Sequence, residues 1–197
     1  MTNNETLTRK IESLRNNVKK KTYEAIIWKP TVPNYAFKAA STTHKGDFGE
    51  QLFKDIFDSK EAKELGFKDA QIQRDKGPFD VLVSHETYGE LKVEVKLATM
   101  DTSGGFQFNG IRKNRKYDIL FCLGVGPNEF YHTVKTKDFC NKNLTTIMEK
   151  GNKDGYKYST RPKHMSPLRN NEDNLFSGTA LLQDVILLIS KRGMKHE

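Results

Sequence analysis

Long apolar runs are missing from this chain, and cysteine is scarce. No stretch reaches the roughly 18 apolar residues of a membrane-spanning helix, and Met1 to Arg9 lack the basic-then-apolar order of a secretory signal. The expected location is therefore the cytoplasm, with no membrane partner. The two cysteines, Cys122 in an apolar run and Cys140 in a predicted helix, are too few and too separated for a zinc site built on paired cysteines. Both are expected as reduced thiols. His44, His85, His132 and His164 have no metal-ligand spacing to one another and receive no catalytic role. Internal repeats and low-complexity tracts are also absent, which excludes solenoid architectures.

What remains is a globular composition: 36% hydrophobic and 29% charged residues, with 12 Phe and 7 Tyr in 197 residues. That length suits one domain. Within it the sequence divides into an N-terminal helix and loop (1–43), a core (44–150), and a basic loop with a C-terminal closing element (151–197). The net charge of +8 points to a polyanionic partner without choosing one. Its distribution is more informative. Residues 1–45 carry nine basic against three acidic side chains, residues 46–100 eight against twelve, and residues 101–150 and 151–197 each eight against five. An acidic centre between basic flanks fits a protein that grips phosphates broadly and holds a cation at one place. Some of these acids equally decorate a solvated helix around Asp55 to Glu64.

Leu7, Ile11, Leu14 and Val18 line one face of a basic helix over Glu5 to Lys21, which can pack on the core, pair with a second copy or lie along a polyanion. Pro30 and Pro33 then predict a loop over 29–43. A helix is expected from Thr43 through Phe57, burying Phe48, Leu52, Phe53, Ile56 and Phe57. After Gly66 short strands follow at Ala70 to Gln73, Phe79 to Ser84 and Glu90 to Leu97, the last two joined as a hairpin through His85 to Gly89. A helix or helical turn is expected around Phe108 to Lys116, a buried strand over Tyr117 to Val125, and another strand from Glu129 to Val134. Thr136 to Lys150 reads as a helix and 151–173 as a long basic loop. Leu175 to Ile189 reads as a closing helix, with a strand as the alternative.

Glu90-Leu91-Lys92-Val93-Glu94-Val95-Lys96-Leu97 alternates polar and apolar residues throughout. Successive side chains on a strand point to opposite faces, so Leu91, Val93, Val95 and Leu97 enter the core while Glu94 and Lys96 share the other face. A solvated Glu–Lys pair would explain this segment alone. The preceding strand places Val81 and Val83 inward and Asp80 opposite, and the hairpin folds Asp80 alongside Glu94. Two carboxylates and an ammonium then reach one point, a set that suits Mg²⁺ with its remaining waters and a phosphate oxygen. Such an ion lowers the pKa of its water, and Lys96 can orient or deprotonate the attacking water.

With Pro78-Phe79-Asp80, thirteen intervening residues and Glu94-Val95-Lys96, the chain resembles the PD-(D/E)xK nuclease superfamily, which includes most type II restriction endonucleases. Gly46-Asp47-Phe48-Gly49-Glu50 matches the helix acid that precedes the motif. Phe106 to Arg112, followed by Tyr117 to Leu120, matches the helix and strand that follow it in several restriction enzymes. The resemblance covers about Lys45 to Val134. Two features depart from the family: Phe79 separates proline from Asp80, and Gln107 lacks the spacing to tyrosine of the recombination-type exonucleases.

The resemblance implies an α/β, restriction-endonuclease-like core with a central mixed β-sheet flanked by helices. It implies Mg²⁺ bound by Asp80, Glu94 and the Val95 carbonyl, with Lys96 positioning the water. It gives Glu50 a supporting role, beside which an ordinary exposed helix glutamate is an equal reading. The implied activity is sequence-specific cleavage of double-stranded DNA to 5′-phosphate and 3′-hydroxyl ends, usually by a homodimer, with a cognate DNA methyltransferase in the cell. A Holliday-junction resolvase or repair nuclease, or a non-catalytic DNA-binding protein on the same scaffold, are the alternatives. For DNA contacts the candidates are Gln107 and Asn109, then the basic run Arg112, Lys113, Arg115 and Lys116, which could instead form a solvated face. The loop residues Tyr156, Tyr158, Arg161, Lys163, His164 and Arg169 are candidates for base reading, against a plain surface loop.

Overall fold

The computed structural model describes residues 27–73, 77–146, 155–168 and 178–193. The expected helix over Glu5 to Lys21 lies outside the described residues, as does Arg169. Within the expected 29–43 loop, Tyr35–Ala39 forms a short helix, α1. The segment is held by Asn34, whose side chain donates to the Gly126 carbonyl at 2.9 Å, and by Trp28, whose indole donates to the Met100 carbonyl at 3.1 Å.

α2 spans Thr42–Asp58, and the Ser41 hydroxyl caps it by accepting from the His44 amide. It buries Leu52, Phe53, Ile56 and Phe57, as the spacing predicted; Phe48 packs on the rim of the same core. Phe53 and Phe57 are fully buried, each contributing on the order of 2–3 kcal/mol of apolar burial. A second capped turn, α3 (Lys60–Glu64), leads into β1 (Phe67–Ile72), β2 (Val81–His85) and β3 (Gly89–Thr99). The hairpin between β2 and β3 closes at His85 and Gly89, as expected.

β4 (Phe106–Ile111) and a turn after it replace the helix expected around Phe108 to Lys116. Phe106, Phe108 and Ile111 are buried while Gln107, Asn109 and Gly110 are exposed, and the ladder slips between Phe108 and Ile111. Gly110, at φ 69°, makes that slip and leaves a three-residue interval that mimics helical spacing. β5 (Ile119–Val125) and β6 (Phe130–Thr136) follow as predicted. The next helix, α4 (Lys137–Asn143), stops short of Lys150, and Thr145–Thr146 forms a short strand, β7. Part of the expected basic loop is ordered as β8 (Tyr156–Thr160), a 3₁₀ turn (Pro162–His164) and β9 (Ser166–Leu168). Tyr156 and Tyr158 pack against the protein there, so ring burial rather than periodicity fixes the strand. α5 (Thr179–Gly193) closes the chain as a helix.

The central six-stranded sheet has the order β1-β2-β3-β5-β6-β9, with β3 and β5 parallel and all other neighbours antiparallel. The protein is thus α/β with a mixed central sheet. One face carries α2 and α5 over Val81, Val83, Val93, Val95, Ile119, Phe121 and Leu123. The other carries α4 and a smaller sheet, order β4-β8-β7, over Leu120, Cys122 and Ala98. The smaller sheet docks where the central one is thin: a Cβ on Gly124 would lie 2.8 Å from the Phe106 ring. Both cysteines are buried thiols. Among the described residues no helix is long and apolar enough to cross a membrane.

Candidate active site

The alternation of β3 sends Leu91, Val93 and Val95 under the helices and turns Glu94 and Lys96 toward the smaller sheet. Glu94 is 0% exposed rather than solvated, because β4 and the segment that follows it cover this face. Asp80 sits one residue before β2, where its amide donates to the Val93 carbonyl at 2.9 Å. Its carboxylate accepts from the Val95 amide at 2.8 Å. That bond fixes Asp80 against β3 beyond the last β2–β3 pair, Val81 with Val93.

Four charges converge there. Lys96 Nζ lies 2.6 Å from Glu94 Oε1 and 3.7 Å from Asp80 Oδ2. Arg115 Nη1 lies 2.6 Å from Glu94 Oε2 and 3.0 Å from Asp80 Oδ1, and Arg115 Nη2 donates to the Gly77 carbonyl at 2.5 Å. Each buried Glu94 oxygen is met by one cation, Oε1 by Lys96 and Oε2 by Arg115, and among the described residues neither accepts from a backbone amide. Burial acts against the charge on Arg115, but the Glu94 and Asp80 carboxylates outweigh it and raise its pKa above the ordinary value.

Glu50 reaches the same place from the helical side. α2 approaches β3 closely at Gly49, where a Cβ would lie 3.3 Å from Val95 Cγ1, and the next residue stands at the edge of the site. Partial burial, then Asp80 and Asp47, push the Glu50 carboxyl up to about 7, with Lys96 acting in the opposite direction. A cleft of about 420 Å³ opens over these groups, lined by Glu50, Gln73, Phe79, Asp80, Lys96, Arg112 and Arg115.

The donor set suits a hard divalent cation. One nitrogen is within 3.0 Å of an oxygen from each carboxylate, so these oxygens already face a common point. Carboxylate oxygens turned to one point are donors that Mg²⁺ would accept. Among the described residues no three His, Cys, Asp or Glu side chains form a preassembled cage, and Mg²⁺ needs none because it keeps several waters. The Val93 carbonyl and Val95 amide both face the Asp80 side of β3. Strand geometry turns the Val95 carbonyl to that same edge.

The expected DNA-contact residues separate into groups. Arg112 is exposed at the cleft wall, beside Arg115. Lys116 is exposed, whereas Lys113 donates to the Asn141 carbonyl at 2.9 Å and covers the Tyr156 ring at 4.0 Å. Tyr158 stacks on Phe108 and meets Phe139 edge-on, so both tyrosines of this segment serve packing. Gln107, Arg161 and His164 line a second groove of about 560 Å³ with Asp101, Ser103 and Ser159. Asn109 and Lys163 are exposed nearby in the chain, on β4 and the 3₁₀ turn.

Sequence reasoning missed Lys137. Its Nζ donates to the Arg115 carbonyl at 2.8 Å and sits 3.7 Å from the Tyr117 ring, fixing the backbone that carries Arg115. No local signal distinguished it from other lysines. His132 is buried and 3.3 Å from Asp184 on the helical side, away from the cleft-lining residues.

No family model and no curated protein matches the chain. Among solved structures it is similar to the bacterial homing endonuclease I-Ssp6803I, at 16% identity and a TM-score of 0.44, over 80% of this chain and 98% of that one. A likeness of that degree assigns no role to any residue here.

Proposed function

We propose that the chain is a metal-dependent DNA endonuclease whose phosphodiester chemistry is carried by Asp80, Glu94 and Lys96. The observation that carries this reading is the fully buried Glu94 carboxylate, converging with Asp80 on one point beside an ammonium, under an open cleft with arginines on its wall. Asp80, Glu94 and the Val95 carbonyl would hold Mg²⁺, which supplies water activation and charge neutralisation when bound.

The remaining work falls to the chain's own groups. Lys96, held by Glu94 and near Asp80, is placed to orient the attacking water and to offset charge building on the scissile phosphate. The Asp80 carboxylate is fixed by the Val95 amide, so it needs little reordering. Glu50 is placed to hold or accept a proton at the cleft rim. Arg112 and Arg115 supply phosphate contacts. Sequence-specific cleavage of duplex DNA, as in a restriction enzyme, is the finer reading; the exposed Gln107 and Asn109 on β4 and Arg161 beside β8 support it, since amide and guanidinium groups suit base edges. A homodimer and a cytoplasmic setting belong to that same proposal.

Plasmid DNA and a synthetic four-way junction, incubated with pure protein with Mg²⁺ or with chelator, test the reading. Mg²⁺-dependent cuts at a fixed duplex sequence are expected, with 5′-phosphate ends on mapping. Preference for the junction would replace the restriction reading with a resolvase. Glu94→Gln and Lys96→Ala should each reduce cleavage by at least about 100-fold while leaving salt-sensitive binding in place. Undiminished cleavage in both variants would remove the site assignment.

A further inference from the structure

We propose that Arg115 is a displaceable counter-ion, which a DNA phosphate draws off before a divalent cation binds tightly between Asp80 and Glu94. Metal and DNA then bind cooperatively. The inference rests on the metal site of the preceding section and adds how that site is controlled.

Arg115 Nη1 touches the same two oxygens that would take the ion, Asp80 Oδ1 at 3.0 Å and Glu94 Oε2 at 2.6 Å. With metal–oxygen distances of about 2.1 Å, that nitrogen and an ion cannot share the position. Charge points the same way. Asp80 and Glu94 are balanced by Lys96 and Arg115. A divalent ion added to a neutral, largely buried quartet would meet a guanidinium at close range, where repulsion is weakly screened.

Removing the guanidinium relieves both problems, and a phosphate is its natural acceptor because the planar fork matches phosphate oxygens in pairs. Arg115 can leave with its backbone in place, giving up its two ion pairs and the bond from Nη2 to the Gly77 carbonyl. Its carbonyl is held by Lys137 Nζ at 2.8 Å and its amide by the Arg112 carbonyl at 3.3 Å, so the backbone stays while the side chain turns. The side chain is already 19% exposed at the wall of the cleft, beside Arg112. Lys96 need not move, since its close contact is to the other Glu94 oxygen. By linkage, whatever factor DNA adds to metal affinity, metal adds to DNA affinity.

The test is calorimetric titration of Mn²⁺ into the full chain, alone and with a short duplex, with the duplex alone as reference. For the wild type the duplex should raise Mn²⁺ affinity by about tenfold or more, within the usual range of coupling between sites. Arg115→Gln without DNA should bind Mn²⁺ about tenfold more tightly than wild type, and the duplex should add little further. If Arg115→Gln binds Mn²⁺ no better than wild type, or the duplex raises affinity equally in both, the guanidinium is a permanent structural pin and the proposal fails. The wild-type comparison decides the matter even where the variant folds poorly: no gain from DNA overturns it. Glu94→Ala separates the two readings. Mn²⁺ binding unaffected by Glu94→Ala sinks the metal site and this inference together, whereas binding lost in Glu94→Ala but indifferent to Arg115 sinks the inference alone.

Discussion

Glu50 supplies the sharpest pH prediction. Its folded-state carboxyl titrates near 7, pushed up by burial, then by Asp80 and Asp47, while in the unfolded chain it returns to the ordinary glutamate range of about 4.3. A carboxyl whose folded pKa is raised binds a proton more tightly in the native state. Stability is then highest below the unfolded pKa and is lost as pH rises toward the folded one. A shift of this size, uncorrected, corresponds to roughly 2.5 kcal/mol lost between about pH 5 and pH 8. Glu50 is only half-buried, and solvent screening reduces the expected loss to about 1 kcal/mol. Glu50→Gln removes the titration and keeps the shape. Urea unfolding of both proteins, without divalent metal, at about pH 5 and pH 8 gives the assay. The variant should gain about 1 kcal/mol on wild type between the two conditions. A difference between them that does not change with pH would refute the placement of Glu50 beside the acidic cluster.

Two further outcomes test the packing of the smaller sheet, and a third tests the exposed Arg161 beside it. Gly124→Ala would set a methyl against the Phe106 ring, where a Cβ has only 2.8 Å; a loss of about 1–3 kcal/mol in thermal or urea unfolding is expected from this overpacking. Tyr158→Ala should cost about 2 kcal/mol because the ring packs on Phe108 and Phe139. Arg161→Ala should leave stability within about 0.5 kcal/mol and alter the distribution of cut sites on mapped DNA.

The strand β3 was legible because strand alternation is local. Glu90 to Leu97 carries its inward and outward faces in eight residues, and the short His85–Gly89 connection left Asp80 only one place to go. The burial of Glu94 was not legible. Its cover includes β4 paired with β8, whose register joins Gln107 to Ser159, partners some fifty positions apart that no window spans. β4 itself was read as helix because the Gly110 slip breaks the two-residue alternation after Phe108. Arg115 appeared only as one of four basic residues in a run. What separates it from Arg112, Lys113 and Lys116 is direction: Arg115 turns inward to two carboxylates, Lys113 lies on Tyr156, and Arg112 and Lys116 remain exposed. Side-chain direction in a turn depends on tertiary packing, which residue type alone does not carry.

The acids of this layer differ in what satisfies them, and that difference separates structural roles from chemical ones. Asp118 accepts from the Lys92 amide at 2.8 Å and staples the start of β5 to β3. Asp80 accepts from the Val95 amide at 2.8 Å and yet keeps its second oxygen toward Arg115. Glu94 is more deeply buried than Asp80 and, among the described residues, is met only by the two cationic side chains and by no backbone amide. Taking a carboxylate out of water costs several kcal/mol, and ion pairing at best offsets this; a leucine of similar volume is often neutral or stabilising in such a place. Packing therefore gives no reason for an acid at position 94. The cation-binding role proposed for Glu94 supplies one, because its carboxylate faces the same point as Asp80, where the two cationic side chains meet them.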